Sequence, residues 1–162
     1  MSKKWYHYVA ENLRPWALET MQLLRMCKES EQKLANYDFV VYPIARIYEP
    51  FLKDVFYAHH LIEQTTYRSK KFSLGRSLNP DVRLEQRNEL WLYDDVVRLA
   101  GERVARELWD TWLERNHLMH LYPGEIQTLT LKQAEAKIDL FIRAIELAGS
   151  MSEQTAEQKA CP

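Results

Sequence analysis

The run Glu102-Arg103-Val104-Ala105-Arg106-Glu107-Leu108-Trp109-Asp110-Thr111-Trp112-Leu113-Glu114 leads without a break into Arg115-Asn116-His117-Leu118-Met119-His120-Leu121-Tyr122, and Pro123-Gly124 follows at once. Helix formers dominate it and neither Gly nor Pro interrupts it, so it reads as one helix. Pro123 cannot continue an α-helix and Gly124 suits a turn, which predicts an end near Tyr122. Along such a helix Val104, Leu108, Trp112, Arg115 and Met119 form one stripe, and Trp109, Leu113, Asn116 and His120 form a second. Arg115 therefore interrupts an apolar face. A guanidinium in that position requires an anionic partner. A carboxylate from a neighbouring helix would make it a structural pair, and a phosphate would make it a site. Asn116 and His120, one turn apart, can act on one small object.

Composition agrees with a helical fold. The chain has 162 residues, 46% of them hydrophobic, with only four Gly and six Pro. That predicts one all-α domain with a real core. The net charge of -1 provides no global field to recruit nucleic acid, so any polyanion site must be a local cleft. Cys27 and Cys161 are too far apart and too few for a disulfide framework or a metal quartet. Adjacent His59 and His60 point in different directions on a helix and suit no shared metal. No metal and no cofactor are expected. Trp5-Tyr6-His7-Tyr8 is not a signal-peptide core, and no apolar run approaches membrane-spanning length. The expected location is cytoplasmic, with no membrane partner.

Outward from the motif helix, residues 3–35 read as helical, with Pro15 either starting a new helix or kinking one. Asn36-Tyr37-Asp38 reads as a turn and cap. From Phe39 to about Gln64, Val40, Ile44, Ile47, Phe51, Val55 and Ile62 fall on one helical face, which predicts a long buried helix bent at Pro43 and Pro50. Tyr42, Arg46, Glu49 and Lys53 share its polar side, and Glu49 with Lys53 reads as an (i, i+4) surface pair. The stretch from Thr65 to Leu78 concentrates Arg68, Lys70, Lys71 and Arg76 around Tyr67 and Phe72. It is either a basic loop or a contact for single-stranded nucleic acid, where aromatics stack on bases and cations hold phosphates. Asn79-Pro80-Asp81 reads as the start of a helix reaching Leu99, joined to the motif helix at Gly101. Thr130 and Gln133 form a capping-box pattern. A last helix with Ala134, Ile138, Phe141, Ile142 and Ile145 on its core face should end near Gly149. The domain is expected over residues 1–149, and residues 150–162 as a flexible tail.

Arg-Asn-x-x-x-His, here Arg115 to His120, resembles the ribonuclease signature of the HEPN superfamily (higher eukaryotes and prokaryotes nucleotide-binding). The segment from Val41 to Lys53 is similar to the early long helix of HEPN domains of the RNase LS toxin type, and Phe72-Ser73-Leu74-Gly75 lies where those domains have a Gly-containing segment. The resemblance covers residues 37–148. It implies a helical bundle of about five helices and metal-independent RNA cleavage. It also implies a homodimer in which the Arg and His of both copies face one cleft. Arg115 and His120 match the motif, and Arg46-Ile47-Tyr48-Glu49 matches an Arg-x-x-Glu that also contributes in the RNase LS type. The chain departs from that type in that the domain is nearly the whole chain.

These residue types suit the chemistry. RNA carries its own nucleophile in the 2′-OH. Histidine moves protons near neutral pH, which suits His120 as general base or acid. Arg115 can clamp the phosphate and hold the charge that builds on it, and Asn116 can orient His120 or donate to the phosphate. The stripe headed by Trp109 is apolar enough to predict that a partner copy covers it. The expected function is an endoribonuclease acting as a toxin or antiphage effector, held by a cognate antitoxin. The motif extends to His-x-Tyr, and this resembles HEPN toxins paired with nucleotidyltransferase antitoxins, in which that Tyr accepts AMP. Tyr122 is thus either a modification site or a residue that caps the core or stacks on RNA. The antitoxin is accordingly either a nucleotidyltransferase or a binding inhibitor. The competing reading is a non-catalytic HEPN module that binds nucleotide, RNA or a protein. A helical DNA-binding protein fits less well, given the acidic net charge and the lack of a helix-turn-helix cue.

Overall fold

The computed structural model describes residues 4–120 and 128–159, and beyond residue 151 the backbone alone. The described residues are all-α. In chain order the helices are α1 (Lys4–Tyr8), α2 (Arg14–Glu29), α3 (Asp38–Ala58), α4 (Gln64–Arg68), α5 (Leu74–Leu78), α6 (Tyr93–Ala100), α7 (Glu102–Met119) and α8 (Leu131–Lys159). Five of them span eight residues or more, and the other three are single short turns. None is long and apolar enough to cross a membrane.

The bundle is built around α3, which packs against α2, α7 and α8. Its predicted apolar face is buried from Val40 through Val55, and the helix runs through both Pro43 and Pro50. Each proline removes one backbone donor, and burial of the surrounding face outweighs that local cost. Tyr48 pins the three main helices together. Its fully buried ring meets Phe141 of α8 edge-on at 5.4 Å. Its hydroxyl donates to the Leu108 carbonyl of α7 at 3.1 Å. Burial pushes this phenol well above its ordinary pKa, so it remains a neutral donor.

The helix ends follow local chemistry where that chemistry is self-contained. Pro15 lies in the first turn of α2, so it starts a helix rather than kinking one. Asn36 Oδ1 accepts from the amides of Asp38 at 3.2 Å and Leu129 at 2.9 Å, which ties the start of α3 to the lead-in of α8. The Thr130–Gln133 box forms reciprocally, Thr130 N to Gln133 Oε1 at 2.9 Å and Gln133 N to Thr130 Oγ1 at 3.3 Å. Gly101 turns the chain between α6 and α7 at φ 89°, a conformation that glycine adopts without strain.

Three expected boundaries are corrected. The long helix read to about Gln64 ends at Ala58, and Ile62, read on its face, is buried beyond that end. The helix read from Asn79 onward begins only at Tyr93. Asn79 Oδ1 instead caps a tight turn by accepting from Asp81 N at 2.9 Å, and Leu84, which a helix would have to bury, is 77% exposed. The segment is clipped back onto α5, with Leu92 N donating to the Ser77 carbonyl at 2.7 Å. The last helix does not stop at Gly149 but continues to Lys159. Met151 gives it a further buried anchor, and a Cβ at Gly149 would lie 2.2 Å from the Tyr8 ring, so α1 packs directly on that glycine.

Candidate functional site

The last two turns of α7 lie against the polar side of α3. Arg115 Nη2 sits 3.0 Å from Glu49 Oε2. The other oxygen of the same carboxylate is 3.5 Å from Lys53 Nζ. The three side chains are 19%, 23% and 20% exposed respectively, so the cluster is partly desolvated and its interactions exceed those of a surface pair. Two cations share one carboxylate, which leaves a local excess of positive charge. Arg115 Nε and, one turn earlier, Trp112 Nε1 are buried donors without a hydrogen-bond partner in the described protein. The predicted Glu49–Lys53 pair is present, and the anionic partner demanded by Arg115 is Glu49.

The basic stretch builds one wall of this cluster. It contains two short helices, α4 and α5, rather than one loop. Phe72 is buried with Lys53 Nζ 5.6 Å from its ring centroid. Gly75 lies directly under Trp112, and a Cβ there would be 2.0 Å from the indole. Trp112 is in turn stacked on Trp109, with ring centroids 5.5 Å apart at 8°. Trp109 is only 7% exposed within a single chain. The expectation that a partner copy covers Trp109 is therefore corrected, because the protein's own core already does so.

The predicted catalytic residues are not all brought together. Arg115 and Glu49 are in contact. Arg46, one turn before Glu49, faces away from that pair toward α2, with its guanidinium 5.3 Å from the centroid of Trp16. It makes no ion pair among the described residues. His120 is the first residue past α7 rather than part of it. Its amide closes the last turn onto the Asn116 carbonyl at 3.1 Å, its backbone is extended (φ -117°, ψ 120°), and it is exposed. The helix thus ends three residues before the predicted stop, and the expectation that Asn116 and His120 stack one turn apart on it does not hold. Asn116 is half-buried. Tyr122 and the Pro123-Gly124 stop lie outside the described residues.

Lys71 and Arg76 line a separate cleft of about 240 Å³ with Phe72, Gln86, Asn88 and Trp91. Arg68 and Lys70 are exposed and outside that cleft. The four cations are therefore not one patch. The sequence places Trp112 on a core stripe and Phe72 in the basic stretch, but it does not show that Trp112 stands over Gly75, that Phe72 faces Lys53 or that Trp16 faces Arg46. A tryptophan at helical spacing reads as core, and only the fold reveals which polar group it lies beside.

No family model matches the chain, and neither a curated protein nor a solved structure does so.

Proposed function

We propose that the chain is a metal-independent endoribonuclease of HEPN type. The observation that carries this reading is the contact of Arg115 with Glu49. It joins the Arg-x4-His segment of α7 to the Arg-x-x-Glu segment of α3, the two segments that the resemblance assigns to one site. The excess positive charge of Arg115 and Lys53 over Glu49 suits a phosphodiester, and Arg115 supplies the planar donor fork for its oxygens.

In the proposed reaction His120 removes the proton of the 2′-OH, and the 2′ oxygen attacks the adjacent phosphorus. The bond from phosphorus to the 5′ oxygen breaks, leaving a 2′,3′-cyclic phosphate on one fragment. The departing oxygen takes a proton from a second histidine and leaves as a 5′-OH. One chain contributes one His120, so the second proton transfer calls for a second copy, arranged with the two α7 ends facing one cleft. Glu49 holds Arg115 at the angle from which it meets the charge on the phosphate. Asn116 closes the last turn of α7 and so sets where His120 leaves the helix. We further propose that the protein is a toxin or antiphage effector restrained by an antitoxin, which either occludes the cleft or adds AMP to Tyr122.

The test is cleavage of an unstructured RNA in excess EDTA, with analysis of the ends. The expected products carry 2′,3′-cyclic phosphate and 5′-OH, and His120→Ala should abolish them. Activity that is lost on chelation and restored by a divalent ion would reject the mechanism. One observation favours a second reading, a non-catalytic HEPN module: Glu49 already satisfies one edge of Arg115. That reading predicts RNA binding without cleavage at any protein concentration.

A further inference from the structure

A cleft of about 350 Å³ opens between α2, α3 and the end of α7. Trp16, Glu19, Phe39, Tyr42, Arg46 and Met119 are among the residues that line it. This volume is that of a small-ligand pocket, too small for a protein helix. Trp16 is 40% exposed, an unusual state for so large an apolar ring, and the Arg46 guanidinium lies 5.3 Å from its centroid. Tyr42 donates to Asp38 at 3.2 Å, so its hydroxyl is occupied and its ring serves as wall. Glu19 makes no ion pair among the described residues. Met119 lines the cleft, and His120 is the next residue in the chain.

We propose that this cleft is a base-binding subsite that takes the nucleobase of the nucleotide beside the scissile phosphate and prefers guanine. The inference rests on the ribonuclease reading, and it concerns α2, a segment outside the family resemblance. Bases of single-stranded RNA are recognised by stacking on aromatic or guanidinium planes and by hydrogen bonds on their Watson–Crick edges. Trp16 with Arg46 provides such a platform, and the charge of Arg46 also suits the backbone phosphate of the same nucleotide. A carboxylate only accepts hydrogen bonds, and it has two oxygens. Guanine presents two adjacent donors, N1–H and the 2-amino group, to that pair. Adenine and cytosine present a single amino group, and uracil presents one imide N–H between two carbonyls.

The test has two arms on the full-length protein. In the first, cleavage sites are mapped on an unstructured RNA containing all four nucleotides. Wild type should cut mainly beside guanine. Trp16→Ala should raise KM roughly ten- to hundredfold, the loss expected for one stacked base, with a smaller change in kcat. Glu19→Gln should flatten the base preference while cutting continues. An unchanged KM and an unchanged cut-site distribution in Trp16→Ala would remove the subsite and leave the ribonuclease reading standing. In the second arm, guanosine 5′-monophosphate is titrated into the protein, with the indole N–H signal of Trp16 as reporter. If wild type cuts no RNA, the ribonuclease reading falls and this arm judges the cleft alone. A shift of that signal by the guanine nucleotide, and not by the uridine one, supports the site. No shift at millimolar nucleotide overturns it.

Discussion

Arg46 and Glu49 sit one turn apart on α3 and meet the same end of α7 in opposite ways. Glu49 is enclosed by two cations, Arg115 at 3.0 Å and Lys53 at 3.5 Å. Arg46 has no ion pair among the described residues, lies beside an exposed indole and lines a cleft. Tyr48, between them in sequence, points the other way into the core. A closed charge holds structure, since its desolvation is already offset by its partners. An open charge beside an exposed aromatic has its strongest interaction still to make. On the proposed ribonuclease reading, Glu49 holds Arg115 in place and Arg46 is the charge left to meet RNA.

The largest expected effect breaks the closed half outright. Arg115→Ala should lower RNA cleavage by about 10²–10³-fold, the range for removing a donor that meets developing charge. Arg115→Lys should restore most of the folding stability and little of the activity, because an ammonium keeps the charge but not the fork. Full activity in Arg115→Lys would show that the guanidinium acts only as a structural cation. Gly75→Ala comes next. A methyl there would lie 2.0 Å from the Trp112 ring, and that ring cannot retreat without breaking its stack on Trp109. The expected cost is about 1–3 kcal/mol of stability, together with reduced cleavage because Trp112 lies one turn before Arg115. A melting temperature equal to wild type would mean that the wall behind Arg115 is soft.

What was legible in the sequence depended on how far the deciding contact reaches. The capping box at Thr130 and the joint at Gly101 are set within a few residues and are found as read, and the Glu49–Lys53 pair forms too, although it is partly buried and shared with Arg115 rather than a surface pair. The buried face of α3 followed from periodicity, since α2, α7 and α8 all pack on that helix. Arg115 announced that it required an anion, but 23 Asp and Glu residues gave no local way to choose Glu49. Trp109 looked like an interface residue because the ring of Trp112, which covers it, is itself fixed by a glycine 37 positions earlier. The reading of residues 79–92 as helix failed for a related reason. Their helix signals are local, whereas the segment is held by contacts at its two ends, with Leu92 buried and bonded to the Ser77 carbonyl while Leu84 between them stays 77% exposed.

A direct comparison of the two halves uses stability alone. Glu49→Ala removes the partner of a guanidinium that is about four-fifths buried, and should cost about 1–3 kcal/mol. Arg46→Ala removes a side chain with no ion pair among the described residues and a cation–π contact at an exposed ring. Its expected cost is about 0.5–1 kcal/mol. Urea denaturation midpoints of the two variants measure the gap. Equal losses would mean that the closed and open halves do not differ energetically, and the division of labour drawn from them would fail.

The smallest effect lies at the far end of α3 and serves as its control. His59, the residue that ends the helix, has its pKa lowered, first by burial and then by the neighbouring His60. The native state therefore favours neutral imidazole. The unfolded chain begins to bind a proton as pH falls through the ordinary value of about 6.5, while the native chain binds it only at lower pH. More protons are then bound by the unfolded state, so stability present above that value declines as pH drops through the window. The decline should be visible as a lower urea midpoint at pH 5.5 than at pH 7.5, and His59→Gln should flatten it. Neither Glu49→Ala nor Arg46→Ala should change this slope, because both lie more than two helical turns away. A slope that vanishes in Glu49→Ala but persists in His59→Gln would move the acid sensitivity of the protein from the end of α3 to the Arg115 cluster.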